Sequence, residues 1–513
     1  MDINIKKHSE DNIEEKEGKE EKEEWDMPSS GEAKNSNIST FRDVDTAAFR
    51  DVDTPTFRDS NISTFQDARP KISEIAVPIE FPKMLDWWKS ASRWALILFA
   101  GLAPIFFLPF TALPVAANKE ILVFTLMLVA FFALLGRILI EGRIRYPGQW
   151  LAASLLILVL VWGVSSFFSI NQIGSLIGSW ATPDSFTAVL LFVLLALSIV
   201  MTFDRRDIVV SILVFLSSLS VLGLFELLQL MKVFVLPFAF AKNVAFNPVG
   251  SVNDLGVLLA FGLVIVSGMM ATPEMSKLLK KLLGISVVIL LLNLIIIDFW
   301  AIWVGLALAM VFMITFLSMG LSKSNFAQGF QLAYFQKAWL PSIILLVSLL
   351  FLFIPSPLAR FIQTPVEVSP NFNATLDIGI ANLKAGHYLL GSGPNTWGFI
   401  FNLYKPDGIN QTIFWSTVFT SGASAAASWV GAVGLLGVLA ILLLIAAFIW
   451  TAVTGTSMRN ADKGIMNVAS QSIFVAVIFM FTMWFLYVAN FTVLAFTFWG
   501  IGLFLAASLF FIL

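Results

Sequence analysis

The sequence predicts an all-α, polytopic membrane protein with about twelve transmembrane helices, a disordered N-terminal tail and one large extracytoplasmic loop. Of its 513 residues, 58% are hydrophobic and only 13% are charged, whereas a soluble globular protein has about 25% charged residues. The apolar residues form a series of runs, each long enough at about 1.5 Å per residue to cross a hydrocarbon core of ~30 Å. Lysine and arginine collect in alternate connections between these runs.

The apolar runs give twelve predicted spans. They lie near residues 93–115, 121–140, 149–168, 185–203, 208–230, 253–270, 282–298, 300–319, 339–355, 425–450, 469–488 and 491–512. The seventh and eighth almost meet at Asp298, which predicts either a tight hairpin or one broken helix. The membrane domain therefore extends over residues 93–513, and residues 356–424, between the ninth and tenth spans, form the large loop.

The distribution of basic residues predicts the orientation. With the tail in the cytoplasm, every cytoplasmic connection holds Lys or Arg, whereas three outer loops hold neither. The cytoplasmic set includes Arg137, Arg143 and Arg145 at the end of the second span and just after it, and Lys277, Lys280 and Lys281 before the seventh. This asymmetry is typical of a protein of the cytoplasmic (inner) membrane, with both termini cytoplasmic.

Residues 1–72 form the predicted tail. The run 10–26 is mostly Glu and Lys, so it cannot bury enough apolar surface to offset the entropy lost on ordering. An eight-residue repeat follows, marked by Phe41, Phe49, Phe57 and Phe65. The repeat is either an array of Phe-Arg-Asp docking sites or a duplicated linker. Residues 73–92 carry Trp87 and Trp88 beside lysines, which predicts an anchor at the membrane interface.

Rare residue types limit the chemistry. The chain has no Cys, which excludes a thiolate nucleophile, a disulfide and Cys-ligated zinc. Its two histidines, His8 in the tail and His387 in the loop, form no metal-binding pair. We therefore expect no metal, no cofactor and no nucleic-acid partner. Any acid–base catalysis depends on His387 or on carboxyl, Lys, Arg and Tyr side chains.

A polar segment, FNPVGSVNDLG at 246–256, stands at the entrance of the sixth predicted span. Asn253 and Asp254 enter an apolar helix here, where polar side chains are costly and usually face a cavity or another helix. Two interpretations are open: the segment lines a cavity, or Ser251 or Asn253 caps the helix.

A second unusual segment, LLGSGPNTWGFIF at 389–401, lies in the large loop. Gly391 and Gly393, with the proline that follows, predict a turn and allow the backbone to approach a ligand closely. Aromatic residues follow, among them Trp397 and Tyr404. Their rings either stack on sugars or seat an interfacial helix among lipid headgroups.

A few cations and one imidazole on the predicted outer side are candidates for anion binding and catalysis. Arg360 suits bidentate recognition of phosphate, and Lys242 and Lys405 add positive charge; each also has a purely structural interpretation. His387 is either a general base near neutral pH or a solvated loop residue.

Four segments, in order, resemble the O-antigen ligase and O-antigen polymerase C-terminal superfamily of bacterial membrane proteins, and the resemblance covers residues 90–513. They are SINQIGSLIGSWATPDSF (169–186), FNPVGSVNDLGVLLAFGL (246–263), ATLDIGIANLKAGHYLLGSGPNTWGFIFNLYKP (374–406) and VGLLGVLAILLL (433–444). The chain departs from the family at three points. The arginine usual in the family's first outer loop is absent near residues 180–183. Ala423 stands where the family has its loop histidine, and Ala432 stands where it has a glutamate.

The resemblance implies a metal-independent glycosyltransferase of cell-surface polysaccharide biosynthesis. Such a protein moves a glycan from a polyprenyl-diphosphate carrier onto a glycan or lipid acceptor at the outer face of the membrane. Arginines would hold the diphosphate, and His387 or Asp254 would activate the acceptor hydroxyl. The full predicted substrate site comprises Arg360, Lys242, Lys405, Asn253, Gly391, Gly393, Trp397 and Tyr404.

Two other functions are open at this point. The first is a non-catalytic protein that binds or escorts the lipid-linked glycan, because the three departures fall on the family's site residues. The second is a secondary transporter. Against transport stands the scarcity of charged residues and of paired broken helices within the spans.

Overall fold

The computed structural model describes residues 81–111, 115–142, 149–178, 183–272, 275–319, 330–362, 367–454 and 465–509. This part of the chain contains seventeen α-helices and no β-strand. They are α1 Phe81–Ile105, α2 Val115–Glu141, α3 Gln149–Phe167, α4 Gln172–Ile177, α5 Phe186–Thr202, α6 Arg205–Leu230, α7 Val252–Met269, α8 Lys277–Ile297, α9 Trp300–Met319, α10 Phe330–Phe353, α11 Pro357–Phe361, α12 Phe372–Asn382, α13 Trp397–Tyr404, α14 Asp407–Asn410, α15 Ala425–Thr454, α16 Ile465–Leu486 and α17 Phe491–Leu509. The predicted tail, 1–72, lies outside the described residues.

Every predicted span overlaps a helix in the described part of the chain. Within the described ranges, nine helices are long and apolar enough to cross a membrane: α2, α3, α6, α7, α8, α9, α15, α16 and α17. The predicted fourth and ninth spans fall on shorter apolar helices, Phe186–Thr202 and Lys337–Phe353. The predicted first span differs most, because α1 ends at Ile105 instead of near 115. Pro104 lies in the last turn of α1 and Pro109 follows the helix; each lacks a backbone N–H, so helical hydrogen bonding is not sustained over this stretch.

The helices divide into central and peripheral ones. In the most apolar window of α7, and likewise of α17, 94% of the residues are buried inside the protein. A helix that is apolar on all sides needs such complete enclosure. By contrast, α8 exposes Leu278, Leu282 and Ile285 at one-turn spacing. A continuous apolar stripe of this kind on the outside of the bundle is suited to contact with lipid, not water.

The chain breaks at Asp298, between α8 and α9. Asp298 has a left-handed backbone conformation, with φ 46° and ψ 46°. Its carboxylate accepts hydrogen bonds from the Trp303 indole at 2.9 Å and from the Ser356 N–H at 2.8 Å. Asp298 is therefore a turn residue that also fixes the start of the segment after α10.

The segment predicted as the large loop, 356–424, contains short helices, of which α11 to α14 are described. Helix α12 extends from Phe372 to Asn382. Its Ile378 packs with Trp397, Ile400 and Phe401 of α13 in a small separate core. This core gives the segment a folded structure of its own, which packs against α15.

Helix α15 is interrupted at Gly434, where φ is 64° and ψ is −163°. The interruption leaves backbone groups without helical partners, and residues 388–393 supply those partners. The bonds run from Ser392 N to Gly431 O, Gly393 N to Ala432 O, Leu435 N to Tyr388 O, and Leu436 N to Leu389 O, at 2.7–3.3 Å. Gly391 has φ 65°, and an added Cβ would collide with the Ala432 carbonyl. The glycine-rich turn is therefore needed for a backbone-to-backbone contact.

Candidate functional site

A cavity of about 200 Å³ lies where several helices begin. Its lining includes Ala116 of α2, Asp184 just before α5, Asp254 of α7, Trp397 of α13, Trp429 of α15 and Asn490 just before α17. Since the long helices α2, α5, α7, α15 and α17 all start at this cavity, they start at the same end of the bundle. The chain must then cross the bundle an even number of times between any two of these starts.

The convergence of helix starts gives the cavity a favourable potential for negative charge. The N-terminus of a helix carries about half a positive elementary charge, because its first N–H groups have no partner within the helix. Five long helices direct that end towards the same space. Asp184 and Asp254 lie at two of these helix starts. The same positive potential would stabilise an anionic ligand group bound there.

Asp254 is the best-defined polar group of the cavity. Ser251 caps α7 by accepting the Asp254 N–H at 2.9 Å, and its hydroxyl donates to Asp254 Oδ2 at 2.8 Å. The Asn490 N–H donates to Asp254 Oδ1 at 3.1 Å. The carboxyl group therefore bridges the first turns of α7 and α17, with both oxygens fixed in direction. Both interpretations of the 246–256 segment hold, because Ser251 caps the helix and Asp254 lines the cavity.

A hydrogen-bond network connects Asp254 to the segment after α11. The Tyr487 hydroxyl lies 3.1 Å from Ser251 Oγ and donates to Glu367 Oε2 at 2.8 Å. The Asn253 N–H donates to Glu367 Oε1 at 3.4 Å. Burial, followed by the nearby Asp254 and Glu367 carboxyl groups, raises the pKa of Tyr487 well above its usual value. The phenol therefore stays protonated and remains a donor.

Asp184 supplies a second carboxyl group, in the connection before α5. Burial raises the pKa of Asp184 above its usual value, although a hydrogen bond from the Asn395 backbone acts in the opposite direction. The Asp184 carbonyl accepts the Trp162 indole N–H at 3.0 Å, and Ser185 caps α5. The cavity thus holds two acidic groups, each fixed by backbone contacts at a helix start.

Aromatic rings form the apolar part of the cavity wall. Trp397 and Trp429 both line it and are almost completely buried. Trp429 is held edge-on between Trp162 and Trp484, with ring centroids 6.1 and 5.4 Å away. A wall of aromatic rings with a few fixed polar groups is the usual composition of a small-ligand site.

The structure brings together part of the predicted site. Asp254 and Trp397 line the same cavity. Asn253 adjoins Asp254, is half-buried, and uses its backbone N–H to hold Glu367. The sequence placed Asp254 and Trp397 in two different segments, 143 positions apart (397 minus 254).

The predicted cations are placed differently. Lys242 is exposed, just after the short 3₁₀ turn Ala239–Ala241. Lys405 donates to the Trp415 carbonyl at 2.9 Å. Neither residue lines the cavity. Arg360 belongs to α11, but its side chain lies outside the described residues.

The remaining predicted residues lie around the turn or in the small core. His387 is half-buried, and its carbonyl accepts the Gly391 N–H at 2.9 Å. Tyr404 packs against the core of α12 and α13. Gly391 and Gly393 pack against the α15 break and against Ser169. None of these four predicted residues lines the cavity.

Several residues of the cavity and of the hydrogen-bond network beside it were not predicted: Asp184, Glu367, Trp429, Tyr487 and Asn490. The last two had a visible signal, because they form a polar interruption between two strongly apolar runs. Asp184 directly follows Pro183 before an apolar run, a weaker signal of the same kind. Glu367 had none, since its partner Tyr487 is 120 residues away in sequence.

The helices and the cavity together define a class: a multi-pass helical membrane protein with a cavity at one end of its bundle, lined by aromatic rings and a few fixed polar groups. No protein-family model matches the chain, and no curated protein sequence matches it.

Proposed function

We propose that this chain acts on a polyprenyl-diphosphate-linked glycan at the outer face of the cytoplasmic membrane, as an O-antigen ligase-like or polymerase-like protein. We further propose twelve spans, with both termini cytoplasmic. The observation that carries the proposal is the cavity at the helix starts, with Asp254 in its wall and the Asp254 carboxyl group fixed by hydrogen bonds. The resemblance over residues 90–513 supplies the substrate class.

The charges at the far ends of the helices support the outer position of the cavity. Helices α2, α5 and α7 begin at the cavity, so their other ends lie at the opposite end of the bundle. Basic residues follow or precede those far ends: Arg137 near the end of α2, Arg205 and Arg206 after α5, and Lys277, Lys280 and Lys281 after α7. By the positive-inside rule that end is cytoplasmic, which leaves the cavity outside.

The proposed chemistry uses the fixed polar groups of the cavity. The acceptor hydroxyl oxygen attacks the anomeric carbon of the donor sugar, and the bond from that carbon to the diphosphate oxygen breaks. Asp254 takes the proton of the acceptor hydroxyl, and the diphosphate leaves with the bonding electron pair on the polyprenyl carrier. Because both Asp254 oxygens are hydrogen-bonded in place, the base needs little reorganisation when the acceptor arrives.

The helix starts and the aromatic wall support substrate binding. The partial positive charges of the helix N-termini favour the diphosphate and its developing charge. Arg360 is the proposed further cation, at the start of the same segment as Glu367. A cavity of about 200 Å³ is smaller than the ~300–1,000 Å³ of most ligand pockets. We therefore assign it to the reacting sugar ring and place the lipid and the rest of the glycan outside it.

The decisive experiment compares two carboxamide variants of the purified protein in lipid nanodiscs. The substrates are a synthetic polyprenyl-diphosphate oligosaccharide and a matching glycan acceptor, with products identified by mass spectrometry. Asp254→Asn should lower the transfer rate by about 10²-fold or more, the usual contribution of a general base. Asp377→Asn, an exposed change on α12, should leave the rate unchanged. Equal rates for Asp254→Asn and the parent would remove Asp254 from the mechanism.

A specific observation favours a second candidate, a protein that binds the lipid-linked glycan without transferring it. Ala423 occupies the position of the family's histidine, and its N–H is bound to the Thr375 hydroxyl at 2.9 Å. His387, the remaining imidazole in the domain, does not line the cavity. Under this candidate the parent protein binds the lipid-linked oligosaccharide but yields no product in the same assay.

A further inference from the structure

Glu226 is a fully buried acidic residue of α6, one turn before that helix ends. Its side chain has no exposed surface, and neither carboxyl oxygen has a hydrogen-bond partner among the described residues. Helix α6 is one of the nine that can cross a membrane. An isolated carboxylate in such surroundings costs several kcal/mol. The group therefore needs a ligand that neutralises it.

A second unsatisfied oxygen lies on the neighbouring helix α8. Asn293 is also fully buried, and its Nδ2 atom donates to the Gly223 carbonyl at 3.0 Å and to the Ile289 carbonyl at 2.8 Å. Its Oδ1 atom has no partner within the described part of the chain. Gly223 precedes Glu226 by three residues, and helical side chains lean towards the N-terminus. The Glu226 side chain therefore extends towards the turn that Asn293 contacts.

No basic side chain neutralises Glu226 within the described helices. Helices α1, α7, α8, α16 and α17 pack against α6. The described charged side chains of α1 and α8 are Asp86, Lys89, Arg93, Lys277, Lys280 and Lys281. Together with those of α6 other than Glu226, they lie towards the opposite ends of the helices, roughly 20–30 Å away along the helix axes. The connection after α6 carries Lys232 and Lys242, and both are exposed. Asp254 of α7 is bound to Ser251 and Asn490, and α16 and α17 contain no charged residue.

We propose that Glu226 is a proton-binding site inside the membrane domain, holding its proton at neutral pH and sharing it with the Asn293 amide oxygen. A protonated carboxyl group has one O–H donor, and the Asn293 oxygen needs one donor. A divalent metal ion fits less well, because Ca²⁺ takes 6–8 oxygen ligands and Mg²⁺ needs an octahedral set. The described residues hold no cluster of three acidic or metal-binding side chains.

Protonation of Glu226 would affect the packing of α6 against α8, and this effect does not depend on glycan chemistry. Loss of the proton would leave an unpaired negative charge between α6 and α8, so the two helices would have to admit water or separate. Proton uptake and release are thereby coupled to the packing of this helix pair. Asp254 lies at the start of α7 and uses other partners, so the two acidic groups can be tested separately.

Infrared spectroscopy of the full-length protein in nanodiscs tests the proposal without any substrate. At pH 8 exposed carboxyl groups are ionised. Only carboxyl groups shielded from water keep a proton and contribute a carbonyl stretch of the protonated form. The parent spectrum minus that of Glu226→Gln should contain one protonated carboxyl band that shifts in D₂O. Glu141→Gln is the matched control, because Glu141 is ion-paired with Arg137 at 3.0 Å, and it should remove no such band. Equal bands in the parent and Glu226→Gln would overturn the proposal.

Two further measurements keep the proposal testable if Glu226→Gln does not fold. Asn293→Leu keeps the acid and removes its proposed partner, so the frequency of the protonated band should change; an unchanged frequency contradicts the shared proton. Replacing choline chloride with sodium chloride should leave the parent band intact. Loss of the band in sodium would show that Na⁺ displaces the proton, which would contradict the proposal that the site holds its proton at neutral pH.

Discussion

Two polar segments interrupt the apolar helices, and they differ in what their polar groups contact. In residues 246–256, Ser251 and Asp254 form a helix cap whose carboxyl group faces a cavity. In residues 388–393, the backbone groups form hydrogen bonds with backbone groups at the break in α15. Gly391 and Gly393 have positive φ angles in the second segment, where backbone packs against backbone, and Gly250 has a positive φ angle in the first. The candidate site is therefore distinguished by a cavity next to a fixed carboxyl group, and not by a glycine-rich sequence.

The largest expected effect concerns the side of the membrane on which both segments lie. Alkaline phosphatase fused after residue 410 should be active, because that point lies in the predicted outer loop. The same enzyme fused after residue 460 should be inactive, because Arg459 and Lys463 mark a cytoplasmic connection. The reverse pattern would place the cavity inside and remove the proposed substrate from its reach.

The structural role of the glycine-rich turn is tested by Gly391→Ala. Its left-handed conformation costs an alanine ~1–2 kcal/mol, and the collision with the Ala432 carbonyl adds ~1–3 kcal/mol. We expect a clear fall in the thermal unfolding midpoint. Gly386→Ala is the matched control, because Gly386 also has a positive φ, 107°, but no neighbour within 4 Å. Equal midpoints for the two variants would show that the close packing against α15 is unimportant.

The hydrogen-bond network around Asp254 predicts a pH-dependent effect of Tyr487→Phe. The pKa of Tyr487 is raised in the folded protein, so above about pH 10, the usual tyrosine pKa, the unfolded phenol ionises first. This contribution to stability is complete below pH 10 and is lost as the pH rises further. The parent's unfolding midpoint should therefore fall more steeply from pH 9 to 11 than that of Tyr487→Phe. Parallel pH profiles would contradict the buried, hydrogen-bonded phenol.

The smallest expected effect is that of deleting residues 2–72. Their Glu- and Lys-rich composition gives them no core, so both polar segments should be unaffected. The truncated protein should insert into the membrane and unfold at the parent's midpoint. A large loss of insertion or stability would assign the tail a structural role.

The helices were predictable because lipid imposes one strong requirement, a long apolar run for each crossing. The prediction for α9, 300–319, matches the observed bounds. The prediction for α1 extended ten residues too far, because the residues after Ile105 are also apolar. There the prolines end the helix although the hydropathy continues.

The site was only partly predictable, for a different physical reason. Asp254 could be identified from the sequence because an acidic residue at the entrance of an apolar helix is energetically costly and usually has a function. Its partner Asn490 lies 236 positions further along the chain, and no local pattern joins the two. The glycines at 391 and 393 did indicate a close backbone approach. The sequence alone does not say that the approaching group is the backbone of α15.

The central claim, that the lipid-linked glycan enters the cavity beside Asp254, is tested most directly by filling that cavity. Ser421 is half-buried in the loop before α15 and lines the cavity, whereas Thr417, four positions earlier, is exposed and does not. Binding of the polyprenyl-diphosphate oligosaccharide should be measured for the parent, Ser421→Trp and Thr417→Trp in nanodiscs. The account predicts at least tenfold weaker binding, ~1.4 kcal/mol, for Ser421→Trp alone. Parent-like binding by a folded Ser421→Trp protein would contradict it.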